Sequence, residues 1–260
     1  MRCAVVGHVE WVEFARVPRM PSAGEIVHAD RTWAEPAGGG AVVSRQLALL
    51  SGRCEFFTAL GRDELGREAA RRLAELGVDA HVHWTGTTRR AWTHVDAAGE
   101  RTITVLGEKL LPPGPLPLKG YDLVFFVSGN VEAARSARSA RFVAATAREL
   151  PTLREAGIAL DLLVGSATDA AERYDGSLRV RHLAATDGAN GGTLDGEPYE
   201  AAPAGRVVDT YGAGDSFAAA LAFALARGDD APAAAAFAAR AGAAVIGGAG
   251  PYDAQLAFPA

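Results

Sequence analysis

The sequence predicts an α/β protein: a mostly parallel sheet covered by helices on both faces, with a second, small all-β sheet. Three observations lead there. Apolar runs of strand length alternate with amphipathic or alanine-rich runs of helix length along most of the 260 residues. Runs such as 3–6 and 123–127 are apolar throughout, as strands buried on both faces must be. Two stretches, 8–35 and 79–107, lack a helical period and hold all 4 tryptophans, Trp11, Trp33, Trp84 and Trp92.

The elements follow in order. Residues 3–6 form a short buried strand ending at Gly7. A helix over 39–51 places Val43, Leu47 and Leu50 on one face, and Gly52 takes the left-handed position after it. A strand over 54–60 precedes a helix that Asp63 caps, with Leu65, Ala69, Leu73 and Leu76 as its apolar stripe and Gly77 as its end. The segments 90–95 and 101–105 make a hairpin across the turn Ala97-Ala98-Gly99-Glu100. Further strands are expected over 123–127, 142–145, 158–164 and 180–186. Helices are expected after Asn130, before Gly157, and over 214–227 and 231–246. The division is a core of 1–7, 36–78 and 108–260, with 8–35 and 79–107 as the separate small sheet. Within that sheet the tryptophans either anchor a mini-core or meet a ligand or a second copy.

Composition excludes several classes. A chain that is 49% hydrophobic and 22% charged is not disordered. A net charge of −5 and a pI near 5.7 give no broad footprint for nucleic acid. Cys3 and Cys54 lie in apolar strands, make no metal-type pair and read as buried free thiols. The first apolar run is too short for a signal peptide, and no run reaches membrane-span length. A cytoplasmic protein with no membrane partner is therefore expected.

The chemistry concentrates in residues 207–220. Polar and glycine residues run straight into a helix there, so the backbone N–H groups of Gly212, Ala213 and Gly214 converge at a helix N-terminus. Such an end carries unsatisfied donors and partial positive charge, and it suits an anion. Asp215, in the first helical turn, stands beside that hole. A hydroxyl placed between the two would meet a base and a charge stabiliser together. A tight turn with Asp215 as a simple N-cap is the plainer alternative, but it leaves Asp209-Thr210 upstream and the Ala/Phe run downstream unexplained. No G-x-x-x-x-G-K-S/T loop exists, which excludes the ordinary P-loop route, and no G-x-G-x-x-G follows the first strand.

Asp209 to Ala222 resembles the C-terminal signature of the ribokinase-like (PfkB) family of carbohydrate kinases. The resemblance extends over nearly the whole chain. Ala37-Gly38-Gly39-Gly40-Ala41 is similar to the family's glycine motif, 57–66 to its G-D-x-x-G junction, 21–26 to its lid segment, and 186–192 to its nucleotide loop. It implies a three-layer α/β/α core with a small β lid. It implies a kinase that uses ATP and magnesium to phosphorylate a hydroxyl of a sugar or nucleoside. Asp215 would be the base, the amides of 212–214 the anion hole, and Gly38 and Gly39 part of the acceptor floor. Thr186, Gly188, Gly191, Asp209 and Gly247 would serve the nucleotide, with a monovalent cation such as K+ near Asp209. Relatives commonly pair their lids, so a homodimer through the lid is expected.

The chain also departs from the family. Val12 stands at the place of the usual acceptor-binding Asp, and Val43 at that of an Asn. Glu10, on the same strand face as position 12, either supplies the missing carboxylate or is a solvated strand residue. The N-x-x-E motif is replaced by Ser166-Ala167-Thr168-Asp169, in which Asp169 keeps a carboxylate of shorter reach for the metal. His8 is either structural or an acceptor contact. Arg89 and Arg90 either bind a phosphate on the acceptor or form a solvated charge pair. From a different functional class, a catalytically silent sugar- or nucleotide-binding relative is the alternative. Val12, Val43 and Ser166 favour it, and the intact Asp215 opposes it.

Overall fold

The computed structural model describes residues 1–258. Its core is a nine-stranded sheet. Strand β1 (Cys3–Val6) is flanked by β4 (Cys54–Leu60) and β8 (Leu123–Phe126), both parallel to it. On one side β5 (Val78–Trp84) continues the sheet beyond β4. On the other side follow β9 (Phe142–Thr146), β10 (Leu160–Ser166) and β11 (Val180–Thr186), again parallel. Two three-residue strands, β12 (Gly192–Leu194) and β13 (Glu197–Tyr199), close that edge antiparallel.

All four residues of β1 are buried, and they alternate between two separate apolar clusters. Cys3 and Val5 face a layer that includes α1 (Gly39–Ser51), α2 (Glu64–Glu75), α5 (Ala213–Arg227) and α6 (Ala231–Val245). Ala4 and Val6 face α3 (Val131–Ala137) and α4 (Leu150–Ala156). The period of two thus sends one strand into both cores, and the three-layer expectation holds. Alanine-rich α5 and α6 pack closely because their facing side chains are small. The caps read from sequence are present: Asp63 accepts from Gly66 N and Asn130 from Ala133 N. Both cysteines are buried and free. Among the described residues no helix is long and apolar enough to cross a membrane.

The small sheet has the order β3-β2-β6-β7, with β2 (Glu10–Arg16), β3 (Arg31–Ala37), β6 (Arg90–Val95) and β7 (Arg101–Leu106). Glu10, Val12 and Phe14 face inward, whereas Trp11, Glu13 and Ala15 are more open. One boundary needs correction. Residues 79–84, expected in this sheet, belong to β5 of the core sheet, so Trp84 is an edge residue of the core and not of the lid. An alternating strand does not announce which sheet it joins. The choice is made by long-range contacts, such as the stacking of His81 on Phe57 at 4.6 Å.

Candidate active site

The sheet changes direction at β1: the chain passes outward through β4 on one side and β8 on the other. Open α/β sheets bind ligands in the crevice at the carboxyl ends of such strands. Here that crevice holds His8 after β1, Ser128 after β8, and the N-terminus of α1. Glycines let these parts meet. A Cβ on Gly40 would lie 2.4 Å from the carbonyl oxygen of His8, and one on Gly39 would lie 3.0 Å from Oδ1 of Asp215. A Cβ on Gly38 would touch the His8 ring at 3.2 Å and Glu10 Cγ at 3.4 Å. Gly38, Gly39, Glu10 and Asp215, although far apart in the chain, therefore share one floor.

Asp215 lies in the first turn of α5, whose cap Gly212 adopts the left-handed conformation at φ 84°. Among the described residues, the amides of Gly212, Gly214 and Asp215 have no protein acceptor, and no side chain caps the helix. The amide of Ala213 instead reaches Thr210 O at 3.4 Å, so the hole is lined by 212, 214 and 215 more than by 213. Burial pushes the Asp215 carboxyl up to about 6. The positive charges of Arg101 and Arg148 oppose that rise, and Glu172 adds to it. A half-buried acid poised there exchanges a proton readily near neutral pH.

Glu10 is 7% exposed, which removes the solvated alternative. Its Oε1 lies 3.2 Å from Arg89 Nη1 and 3.6 Å from His8 Nε2. Burial raises its proton affinity, while Arg89 and Lys109 lower it. The His8 ring shares a hydrogen bond of 2.9 Å between Nδ1 and Ser128 Oγ. Burial, then the charges of Lys109, Arg89 and Arg148, depress it to about 3, so the imidazole is neutral and its contact with Glu10 is no ion pair. Arg89 is held indirectly by the core. Its neighbour Thr88 gives its N–H and hydroxyl to Asp63 at 2.7 and 2.6 Å, the same carboxylate that caps α2. Arg90 instead pairs with Glu13 on the open face of the lid. Val12 and Val43 are buried in the apolar core.

The remaining expected residues fall into two groups. Thr186 ends β11, and its hydroxyl leans on Gly165 O at 3.4 Å. Gly188 follows in open space at φ 54°, accessible to a ligand. Gly191 is required by the chain itself, since a Cβ there would lie 2.1 Å from Tyr199 O. Gly247 sits exposed just past α6. Asp209 is 1% exposed and accepts from Tyr211 N and Gly250 N, both at 2.9 Å, which clamps the signature loop to the segment after α6.

Asp169 is not free to hold a metal. Its Oδ2 is 2.6 Å from Arg148 Nη2, and its Oδ1 accepts from Ala171 N at 2.9 Å. The carboxylate whose charge reaches Asp215 is Glu172, which is itself bonded to Arg148 at 2.6 Å and to Ser166 N at 2.9 Å. The donor set at this corner is closed by a guanidinium and does not fit direct ligation of magnesium. Sequence reasoning missed Arg101, Arg148, Glu172 and Tyr211. The Tyr211 hydroxyl accepts from Gly38 N at 3.1 Å and so ties the glycine motif to the signature loop.

A large, mostly parallel sheet covered by helices, with a smaller four-stranded sheet, is the ribokinase fold. Thermotoga maritima ribokinase superposes with a TM-score of 0.77 at 20% identity, covering 99% of this chain and 96% of that one. The nucleoside kinase of Methanocaldococcus jannaschii gives 0.77 at 18%, covering 98% and 95%. Arabidopsis thaliana ribokinase, solved with ribose and ATP, gives 0.72 at 21%, covering 98% and 95%. None of the curated proteins compared with the sequence matches it. The profile of the pfkB family carbohydrate kinase matches residues 1–116 and 128–256, and the chain belongs to that family.

Proposed function

We propose that this protein transfers the γ-phosphoryl group of ATP to a hydroxyl of a sugar or nucleoside bound between Glu10 and Asp215. One observation carries the reading. Asp215, with its raised proton affinity, adjoins a helix end whose amides have no internal partner, on a floor shared with Gly38 and Gly39. Asp215 takes the acceptor proton as the hydroxyl oxygen bonds to phosphorus. The bond from phosphorus to the β–γ bridging oxygen breaks, and ADP leaves. The amides of 212, 214 and 215 meet the charge on the transferring group. A divalent ion bound to the nucleotide's own phosphates supplies charge neutralisation when present. Thr186, Gly188, Asp209 and Gly247 border the nucleotide end, and Glu10 with neutral His8 grips the acceptor.

The lid's open face, with Trp11 and Trp92 lining a groove, supports a homodimer through that sheet. Trp92 is 50% exposed there. The test is an assay of ADP release against a panel of sugars and nucleosides, with Asp215→Asn in parallel. Release that depends on the acceptor and collapses in the variant supports the proposal. Acceptor binding without turnover by the wild type overturns it and leaves the silent-relative alternative.

A further inference from the structure

The root of the lid holds two buried polar groups that phosphoryl transfer does not use. Glu35, on the inner face of β3, is 8% exposed, and among the described residues its carboxylate completes no hydrogen bond and no ion pair. Trp33 lies two residues earlier on the same strand face, and its indole Nε1 is buried and also without a partner. Both groups press on one point. A Cβ on Gly250, at φ 70°, would lie 2.6 Å from Glu35 Oε1 and 3.1 Å from Trp33 Nε1.

Gly250 belongs to the segment after α6 that clamps the signature loop. Its amide donates to Asp209 Oδ2 at 2.9 Å, and Asp209 Oδ1 accepts from Tyr211 N at 2.9 Å. Tyr252 gives its hydroxyl to Pro36 O at 2.6 Å, so the same segment grips the lid root beside Glu35. A second path runs through rings. Trp33 stacks on Phe14 of β2 at 4.9 Å, and Phe14 meets Tyr211 edge-on at 5.1 Å. Tyr211 in turn holds Gly38 of the floor. The hairpin end of the lid is tied to the same loop, where Thr210 N donates to Gly99 O at 2.9 Å and Arg101 Nη1 to Thr210 O at 3.3 Å. The lid thus stands on the signature loop at two places, and its root carries an acid with no partner.

Charged groups reach Glu35 from each neighbouring element. Arg72 of α2 is the facing cation, but it also pairs with Glu75 at 3.4 Å. Asp253 and Asp209 are like charges. Arg31 of β3 lies over the Trp33 ring at 5.1 Å, and Arg45 of α1 lies toward Tyr252 and Arg72. Burial pushes the Glu35 carboxyl up to about 7. Arg72 and the Trp33 indole oppose the rise, and the two aspartates add to it.

We propose that Glu35 is a proton-operated positioning residue: protonated, it rests against Gly250 and holds the lid root to the signature loop, and ionised, it loosens that contact. The step is the release of one proton from the carboxyl to solvent. The resulting carboxylate has no completed hydrogen bond and is repelled by Asp209 and Asp253, so it gains by admitting water between β3 and Gly250. The neutral acid has no such drive. Loosening reaches the floor through Asp209, Tyr211 and Gly38, so acceptor affinity falls as Glu35 ionises. That consequence rests on the kinase reading above, whereas the proton-linked contact itself does not.

The test is amide exchange at Gly250 and Tyr211 in the intact protein, followed from about pH 6 to about pH 8.5, with each rate divided by its intrinsic rate at that pH. In wild type the protection of both amides should fall by about tenfold, with a midpoint near 7. In Glu35→Gln it should stay level. Protection that ignores pH in the wild type, or falls equally in the variant, overturns the proposal. Glu35→Leu, also neutral at every pH, replaces a glutamine variant that fails to fold, and the wild-type series needs no variant. With an acceptor that turns over, KM should rise by about threefold to tenfold over the same range in wild type and stay flat in Glu35→Gln, while kcat at saturation is the same in both. A KM that follows pH identically in both proteins overturns the link to the acceptor. If the wild type phosphorylates no acceptor, the kinase reading fails, and amide exchange still decides whether Glu35 holds the lid root.

Discussion

The two ends of the cleft handle their polar groups in opposite ways. At the proposed phosphoryl end, the amides of Gly212, Gly214 and Asp215 have no protein acceptor among the described residues. At the proposed acceptor end most of the charged and ring groups already have a partner, Glu10 with Arg89, His8 with Ser128 and Lys109 with Glu149, although the buried Nε of Arg89 has none. Unpaired donors in a partly dry site are costly, and they persist where a ligand completes them. Paired groups instead set a threshold, because an acceptor must offer better partners than those it disturbs. On the proposed reading the phosphoryl end serves one fixed chemical group. On the same reading the acceptor end discriminates among acceptors through Glu10, because Val12 and Val43 are buried and apolar.

Substitutions at each end should break this contrast in different kinetic parameters. The largest effect is expected at Asp215: Asp215→Asn should lower kcat by about 10²- to 10⁴-fold while nucleotide affinity barely moves. Steady-state kinetics with binding of an unreactive ATP analogue separates the two. Glu10→Gln should act mainly on the acceptor. Its KM should rise by about tenfold to a hundredfold, since a charged hydrogen-bond partner is lost, with less change in kcat. A dominant effect on ATP would place Glu10 at the wrong end.

Gly188→Val should raise the KM for ATP and leave that for the acceptor unchanged. The position is open at φ 54°, where a β-branched residue costs about 1–2 kcal/mol. Equal effects on both substrates would remove the 186–192 loop from the nucleotide end. The smallest effect is on stability. Asp215 has a folded pKa above its unfolded value, so its contribution is fully present below about pH 3.8 and is lost as pH rises through about 6. Asp215→Asn should therefore melt about 2–4 °C higher than wild type at pH 8, with the gap closing toward pH 4. A gap that widens in acid would contradict the raised affinity.

The same contrast governs what could be read from sequence. The proposed phosphoryl end is local: the glycines, the acid and the helix they open lie within a dozen residues, so Asp215 and the open amides beside it were legible as a pattern. Arg101, Arg148 and Glu172 reach the cleft only because a hairpin docks and three strands align, and nothing in their flanking residues signals it. Asp169 attracted attention by spacing, but Arg148 claims it, and Glu172, three residues on, is the acid that the cleft feels. The core strands were legible from apolar runs. β5 was placed in the wrong sheet because alternation is the same in both sheets. β12 and β13 were missed because three-residue strands containing Gly192 and Pro198 carry no strand pattern.

The most direct test of the account is the pH dependence of kcat on an acceptor that the panel identifies. The proposed base must be ionised to accept the proton, and burial sets its affinity at about 6. The account predicts a rate that is flat above neutral pH and falls tenfold per unit in acid, with a midpoint near 6. In Asp215→Asn the residual rate should lose that limb. A wild-type rate that holds steady down to pH 4, or a variant that keeps the same limb, would contradict the assignment of Asp215 as the base.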